Sequence, residues 1–286
     1  MKGLPLAADR RFSAGLVLLS LLAGLALFAP VVAPGDPAAQ PDVVSHRFLG
    51  PLATDADGGF HLLGTDRFGR DVFRRLVYGG RVSLAVGGLA ALLAVSLGLA
   101  VGGVAGFAPG PIDRGLMAIT DAVLALPRVP LLLLVVALWQ PGAALVIIVL
   151  GVTGWMPVAR LVRGEVRRVA ALDYTAAAAA LGVPSNRVLW RHVLPNALTP
   201  LYVAAALGVG NAIQLEAGLS FLGLGVQPPA ASWGNMIASG RDVLVNAPWV
   251  ATSAGFMVVL AVLGCTLVGD ALQDAFNPAG RPVPVS

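Results

Sequence analysis

The sequence predicts an all-α, polytopic membrane protein with six transmembrane helices, and three observations carry that prediction. Of 286 residues only 12% are charged and 57% are hydrophobic, whereas a soluble globular domain has roughly a quarter charged. Mean hydropathy is +0.82. Uncharged runs of the ~20 residues needed to cross hydrocarbon recur along the chain. Arginines collect in one connection between those runs, Arg160 to Pro195, which holds six of them against Glu165 and Asp173.

The first span is expected within Phe12 to Gly35. Lys2, Arg10 and Arg11 precede it as they would precede a signal peptide, but the run exceeds an h-region of about 7 to 15 residues, which favours a retained span. The second lies within Val82 to Phe107. Between Val129 and Ala159 the uncharged run is long, and Gln140-Pro141-Gly142 offers a turn that divides it into spans three and four. Span three then begins near Gly115 and includes Asp121 and Arg128. Span five is expected from about Ala197 to Leu219, and span six from about Trp249 to Val268.

Orientation follows from the arginines. The Arg160 to Pro195 connection is cytoplasmic by the positive-inside rule, and six crossings then place both termini inside. The segment Pro34 to Gly80 carries five Arg but six Asp and votes weakly. Residues 1–35 are thus a cytoplasmic N-terminus and first span, and 36–81 an extracytoplasmic segment with an interfacial helix. Residues 82–270 form a five-helix core with a cytoplasmic loop at about 162–196, and 271–286 a cytoplasmic tail. Phe68, Val72 and Leu76 make an apolar stripe for that interfacial helix, either gating a cavity or bracing the second span.

Several functions are excluded or bounded. Basic residues number 19 against 15 acids, and the arginines lie between apolar runs, so membrane topology accounts for them and nucleic-acid binding does not. Cys265 stands alone in an apolar stretch, which rules out a disulfide framework within the chain. His46, His61 and His192 show no metal-ligand spacing, so no metal site is expected. The only lysine is Lys2, so no GxxxxGK[ST] phosphate loop exists and no cofactor is expected on this chain.

Other residues suggest packing and function. Gly98, Gly102 and Gly106, spaced by four, fall on one face of span two and allow close backbone approach; the composition of membrane helices supplies some such pairs by itself. Asp121 and Arg128 are two helical turns apart and are expected on one face of span three. They either line a polar path, sensing a charged terminus of the cargo, or serve packing. Glu216 reads as interfacial, Gly223 to Pro229 as a rigid loop, and Trp233 as a headgroup-level anchor.

The arginine-rich loop reads as a helical knob. Asp173 caps a short helix through Ala176 to Leu181, Gly182 takes the left-handed position after it, and Pro184 blocks continuation. Ser185 starts a second helix that Pro195 ends, with Arg187 and Arg191 on one face. An Ala-rich tip fits a groove on another protein; an interfacial loop holding anionic lipid is the alternative.

The stretch "DYTAAAAALGVPSNRVLWRHVLPN" resembles the ATPase-docking loop of ABC importer permeases. Ala177, Ala178, Gly182, Leu194 and Pro195 match its pattern, while Ala176 replaces a Glu and His192 an Ile. Asp173, Tyr174, Arg187 and Arg191 lie within the same loop. "HLLGTDRFGRDVFRRLVYGGRVSL", "EAGLSFLGLGVQPPAASWGNMI" and "GDALQDAFNP" are similar to signatures of the C-type permeases of dipeptide, oligopeptide and nickel importers. The resemblance implies a type I ABC importer permease fold in a bacterial inner membrane. It also implies a homologous permease partner, two cytoplasmic ATPases that bind ATP and Mg, and an extracytoplasmic solute-binding protein. The cargo expected is a peptide or a related small solute, including a nickel chelate. An ion-coupled secondary transporter is the alternative, and a membrane enzyme is disfavoured because no paired carboxylates or nucleophile-base set is evident.

Overall fold

The computed structural model describes residues 9–40 and 42–276; Lys2 and residues 277–286 of the expected tail lie outside them. The chain enters through α1 (Arg10–Leu27) and α2 (Ala29–Val32). Asp9 caps α1 by accepting from the Arg11 amide. Pro30, which has no amide hydrogen to give, separates α2 from α1. A loop region follows, holding α3 (Val43–His46) and an antiparallel hairpin of β1 (Ala53–Thr54) with β2 (Phe60–His61). That hairpin is a small departure from an all-α chain.

The longest helices are α4 (Val72–Phe107) and α14 (Pro248–Phe276); between them come α5 (Pro111–Leu124), α6 (Arg128–Leu138), α7 (Ala143–Val152) and α8 (Trp155–Ala170). A cluster of short elements, α9 (Asp173–Ala180), α10 (Ser185–Val188), a π turn (Leu189–Val193) and α11 (Leu194–Ala197), leads into α12 (Thr199–Phe221) and α13 (Trp233–Arg241). Four candidate spans are continuous, counting α7 and α8 as one, and two bent pairs complete six: α5 with α6 at 83° and α10–α11 with α12 at 54°. Large apolar side chains such as Leu21, Leu92, Ile148, Phe256 and Val259 stay exposed on the outside of the bundle, an exterior suited to lipid and not to water.

Three expectations are corrected here. Phe68 is not part of a helix along the interface: Asp66 accepts from the Phe68 and Arg70 amides in a turn, and Asp71 caps α4 by accepting from the Arg74 amide. The residues from Val72 on are therefore the first turns of the second span. Span three is not one straight helix, because Pro127 removes an amide donor and restricts Leu126 to extended backbone. Lastly, α14 continues through residues 271–276, which were expected in the tail.

The bundle has two distinct ends. At one, Arg11 pairs with Asp274 at 3.4 Å and Tyr202 meets Phe276 with ring centroids 6.5 Å apart; α9 to α11 lie at this arginine-rich end. At the other, the Trp249 indole donates to the Thr65 carbonyl at 3.2 Å and Trp233 donates to the Leu76 carbonyl at 3.0 Å. Trp233 is thus a core residue, 2% exposed, and not a headgroup anchor.

At the centre, α4 packs along α8, α12, α7 and α1. A methyl group at Gly98 would sit 2.5 Å from Val158 Cβ, one at Gly106 2.8 Å from Val166 Cβ, and one at Gly102 would run into the Ala159 carbonyl. The three glycines so form the groove in which α8 lies. Gly210 on α12 faces Cys265 in the same manner, and Cys265 is a buried free thiol.

Candidate functional site

Two features stand out, a projecting knob and a cavity beneath it. The knob begins where α8 ends. Asp173 is the first residue of α9, one step later than a cap, and the Thr175 hydroxyl donates to the Val169 carbonyl at 3.0 Å to turn the chain. Gly182 follows α9 at φ +81°, a conformation that a side chain disfavours. Ser185 opens the second short helix, but Pro195 does not end it: the π turn over Leu189–Val193 absorbs the missing donor, and Pro195 stands in the first turn of α11.

One face of the knob is anchored and the other is free. Val188, Val193 and Leu194 pack with Val162, Val166, Val169 and Leu201. Leu181 and Trp190, 85% and 67% exposed, project outward with Tyr174. Arg187 and Arg191 are exposed, His192 half-buried, and Ala176 exposed, while Ala177 and Ala178 lie on the same Ala-rich helix. Such a surface offers apolar and cationic groups without ion-pair partners among the described residues.

The helix that carries the knob, α8, is clamped to α5. Asp113, near the start of α5, accepts from Arg163 Nε at 2.5 Å and Nη2 at 2.9 Å, and also from Arg167. Sequence reading missed Asp113, since its partners lie some fifty residues away. Asp121 bonds Arg160 of α8 at 2.5 Å, so the expected shared face with Arg128 does not exist.

Arg128 instead opens α6 and lines a cavity of about 290 Å³ with Ala94, Gly154, Gly208 and Asn211. Its Nε is buried without a hydrogen-bond partner. A cation in the first turn of a helix works against the helix dipole, so neither pairing nor capping explains this arginine. A second cavity of about 790 Å³ borders Glu165, Arg168, Gln273 and Phe276 at the arginine-rich end. The two share the lining residues Leu161, Ala204 and Leu207, so they adjoin where α8 and α12 face each other.

Beyond that cavity, α12 is pinned by Glu216. The sequence places Glu216 at an interface, but it is fully buried, accepting from Ser83 at 3.2 Å, Ser220 at 2.8 Å and Ser232 at 2.9 Å. These hydroxyls tie α4, α12 and the loop before α13 together. Within the Gly223 to Pro229 loop, Gly223 is at φ +80°, and the Val226 amide donates to Ser220 Oγ.

The histidines are not scattered as expected. His46 and His61 both reach Asp55 Oδ2, at 3.2 and 3.1 Å; His192 remains at the other end. The Gly59 amide on its Oδ1 holds the Asp55 carboxyl below the usual carboxylate range. The Asp42 carbonyl at its ring, with the Asp55 and Asp57 carboxylates adding to it against burial, raises the His46 imidazole above its ordinary value.

Residues 94–281 match the family described as binding-protein-dependent transport system inner membrane component. The chain is 38% identical over 264 residues to the dipeptide transport system permease protein DppC of Alkalihalophilus pseudofirmus, covering 92% of this chain and 84% of that protein. It is 39% identical to the di/tripeptide transport system permease protein DppC of Pseudomonas aeruginosa, with 92% and 86% covered. To the oligopeptide transport system permease protein OppC of Bacillus subtilis it is 36% identical, with 93% and 85% covered. Among solved structures, the inward facing MetNI methionine ABC transporter aligns at a TM-score of 0.59 and 21% identity, covering 70% of this chain and 96% of that one. That likeness concerns the fold.

Proposed function

This chain belongs to the family of binding-protein-dependent transport system inner membrane components, and from that premise we propose that it is the permease subunit of an ATP-driven importer of peptides. The relatives named for dipeptides, di/tripeptides and oligopeptides support the cargo class, and nothing in the comparisons favours an ion-coupled carrier.

The observation that carries the mechanism is the packing of the knob against α8, which Asp113 in turn joins to α5, with a cavity opening at the same end of the bundle. In this reading the arginine-rich end and both termini are cytoplasmic. The knob docks in a groove of one of two ATPase subunits, which hold ATP and Mg. A homologous permease completes the pore, and an extracytoplasmic binding protein delivers peptide to the opposite end. ATP-driven approach of the two knobs tilts α4, α8 and α12 together and moves the cavity from inward-open to outward-open. Arg128 meets the peptide's terminal carboxylate, for which an unpartnered guanidinium is suited.

Co-purification tests the docking step. Gly182→Trp puts a large side chain at a positive φ on the knob, and the ATPase pair that accompanies the unmodified complex should be lost while the chain remains in the membrane. Retention of the ATPases at full stoichiometry would overturn the reading.

A further inference from the structure

We propose that His46, Asp55 and Asp57 form a binding site for one divalent transition cation of the zinc class, at the end of the bundle opposite the knob. The three ligand atoms, one from each residue, lie within 4.8 Å of one another. His46 Nε2 is 3.2 Å from Asp55 Oδ2 and 3.3 Å from Asp57 Oδ2. A tetrahedral ion with nitrogen and oxygen ligands at about 2.0–2.2 Å sets neighbouring ligands about 3.3–3.6 Å apart, close to the two distances from His46.

The contacts around His46 aim its Nε2 at the place where a cation would sit. Its Nδ1 lies 2.9 Å from the Asp42 carbonyl oxygen. A carbonyl can only accept, so Nδ1 carries a ring proton and Nε2 is the ring atom turned toward the two carboxylates, where either a second ring proton or a metal cation supplies the positive charge between them. Acceptors so placed repel one another unless positive charge lies between them. His46 is 2% exposed, so bulk water does not screen the cluster on that side.

The scaffold around it is built for this placement. The β1–β2 hairpin returns the chain through Asp55-Ala56-Asp57-Gly58-Gly59, with Gly58 at φ +85°. Asp55 Oδ1 accepts from the Asp57 and Gly59 amides, which leaves Oδ2 for the cluster. His61 bonds that same Oδ2 through Nε2 and reaches Asp71 Oδ2 through Nδ1 at 2.7 Å. Asp71 in turn caps α4. A bound ion would thus brace the hairpin against the first turn of the central helix through an outer shell of the usual kind. An imidazole with two carboxylates favours the zinc class over calcium or magnesium, which take oxygen ligands throughout. Asp57 is mostly exposed, leaving an entry route and room for a water ligand.

The test uses the full chain in its complex, purified in detergent through a tag without histidine, with Zn2+ alone as the probe. After dialysis against Zn2+ and desalting, about one zinc per copy of this chain is expected. Asp57→Asn changes an exposed side chain, so it should keep the melting temperature seen in chelator while zinc affinity falls about tenfold or more. Co2+ should give a visible d–d absorption that His46→Gln removes. Equal zinc uptake by the unmodified chain and Asp57→Asn would overturn the proposal. So would a cluster that responds to pH alone, or one that takes Ca2+ in preference to Zn2+. Binding is read without transport, so this result stands or falls apart from the importer reading.

Discussion

Asp113 at the start of α5 accepts from both Arg163 and Arg167 of α8, and this double contact ties the helix that carries the knob to α5. Asp113 is 4% exposed, while Asp121, which pairs with Arg160 one helical stretch further on, is exposed. Ion pairs exposed on both sides contribute little, whereas removing the Asp113 charge strips two arginines, 30% and 42% exposed, of the one buried carboxylate they share. Asp113→Asn is therefore expected to lower the melting temperature in detergent more than Asp121→Asn. It should also uncouple ATP hydrolysis from uptake in vesicles, with ATPase co-purification retained. Equal melting shifts for the two variants would show that the clamp contributes nothing special.

The groove of α4 gives a paired comparison on one helix. An added methyl at Gly102 meets the Ala159 backbone carbonyl, which cannot move aside without shifting α8, whereas at Gly88 it meets nothing within 4 Å. Gly102→Ala should cost about 1–3 kcal/mol through overpacking. Gly88→Ala should be neutral or stabilise by up to about 1 kcal/mol, as Ala is the better helix former. Denaturation of both variants in one detergent checks the contrast.

The sequence showed some of these features and hid others for definable reasons. Spans follow from local apolar runs, and the knob follows from Gly182 and Pro184, whose backbone demands are local. Arg128 and its cavity were obscured by reading span three as straight, although Pro127 and Pro130 stand in the sequence as a signal of the break. Asp113 and Glu216 could not be read locally at all. Asp113 finds its arginines across 50 residues and Glu216 finds Ser83 across 133, distances at which only tertiary packing decides a partner. The same holds for His46 and Asp55, which meet only because a hairpin of four paired residues returns the chain.

Glu216 is the polar node of the far end. Its two oxygens accept from Ser83, Ser220 and Ser232, and Ser83 also accepts from the Trp233 amide. Glu216→Ala leaves three buried hydroxyls short of an acceptor and should destabilise by about 1–3 kcal/mol. Glu216→Gln keeps one carbonyl acceptor and should lose less. Thermal unfolding with Trp233 fluorescence as the local probe separates the two, and an Ala variant as stable as the Gln variant would remove Glu216 from this role.

Arg128 tests the cavity. Its Nε has no partner among the described residues, its helix-start position is electrostatically adverse, and the cavity it lines adjoins the one at the arginine-rich end. A hydrogen bond to a charged group is worth about 1.5–3 kcal/mol, so if the guanidinium meets a peptide's terminal carboxylate, Arg128→Gln should slow uptake of free peptides roughly tenfold or more. C-terminally amidated peptides offer no carboxylate and should be slowed little by the same change. Because the binding protein also selects cargo, the comparison is made with peptides it captures equally well, scored as uptake per captured peptide in proteoliposomes. A charge that served only packing would give equal losses for both cargoes and a lower melting temperature; selective loss with unchanged melting assigns Arg128 to the path.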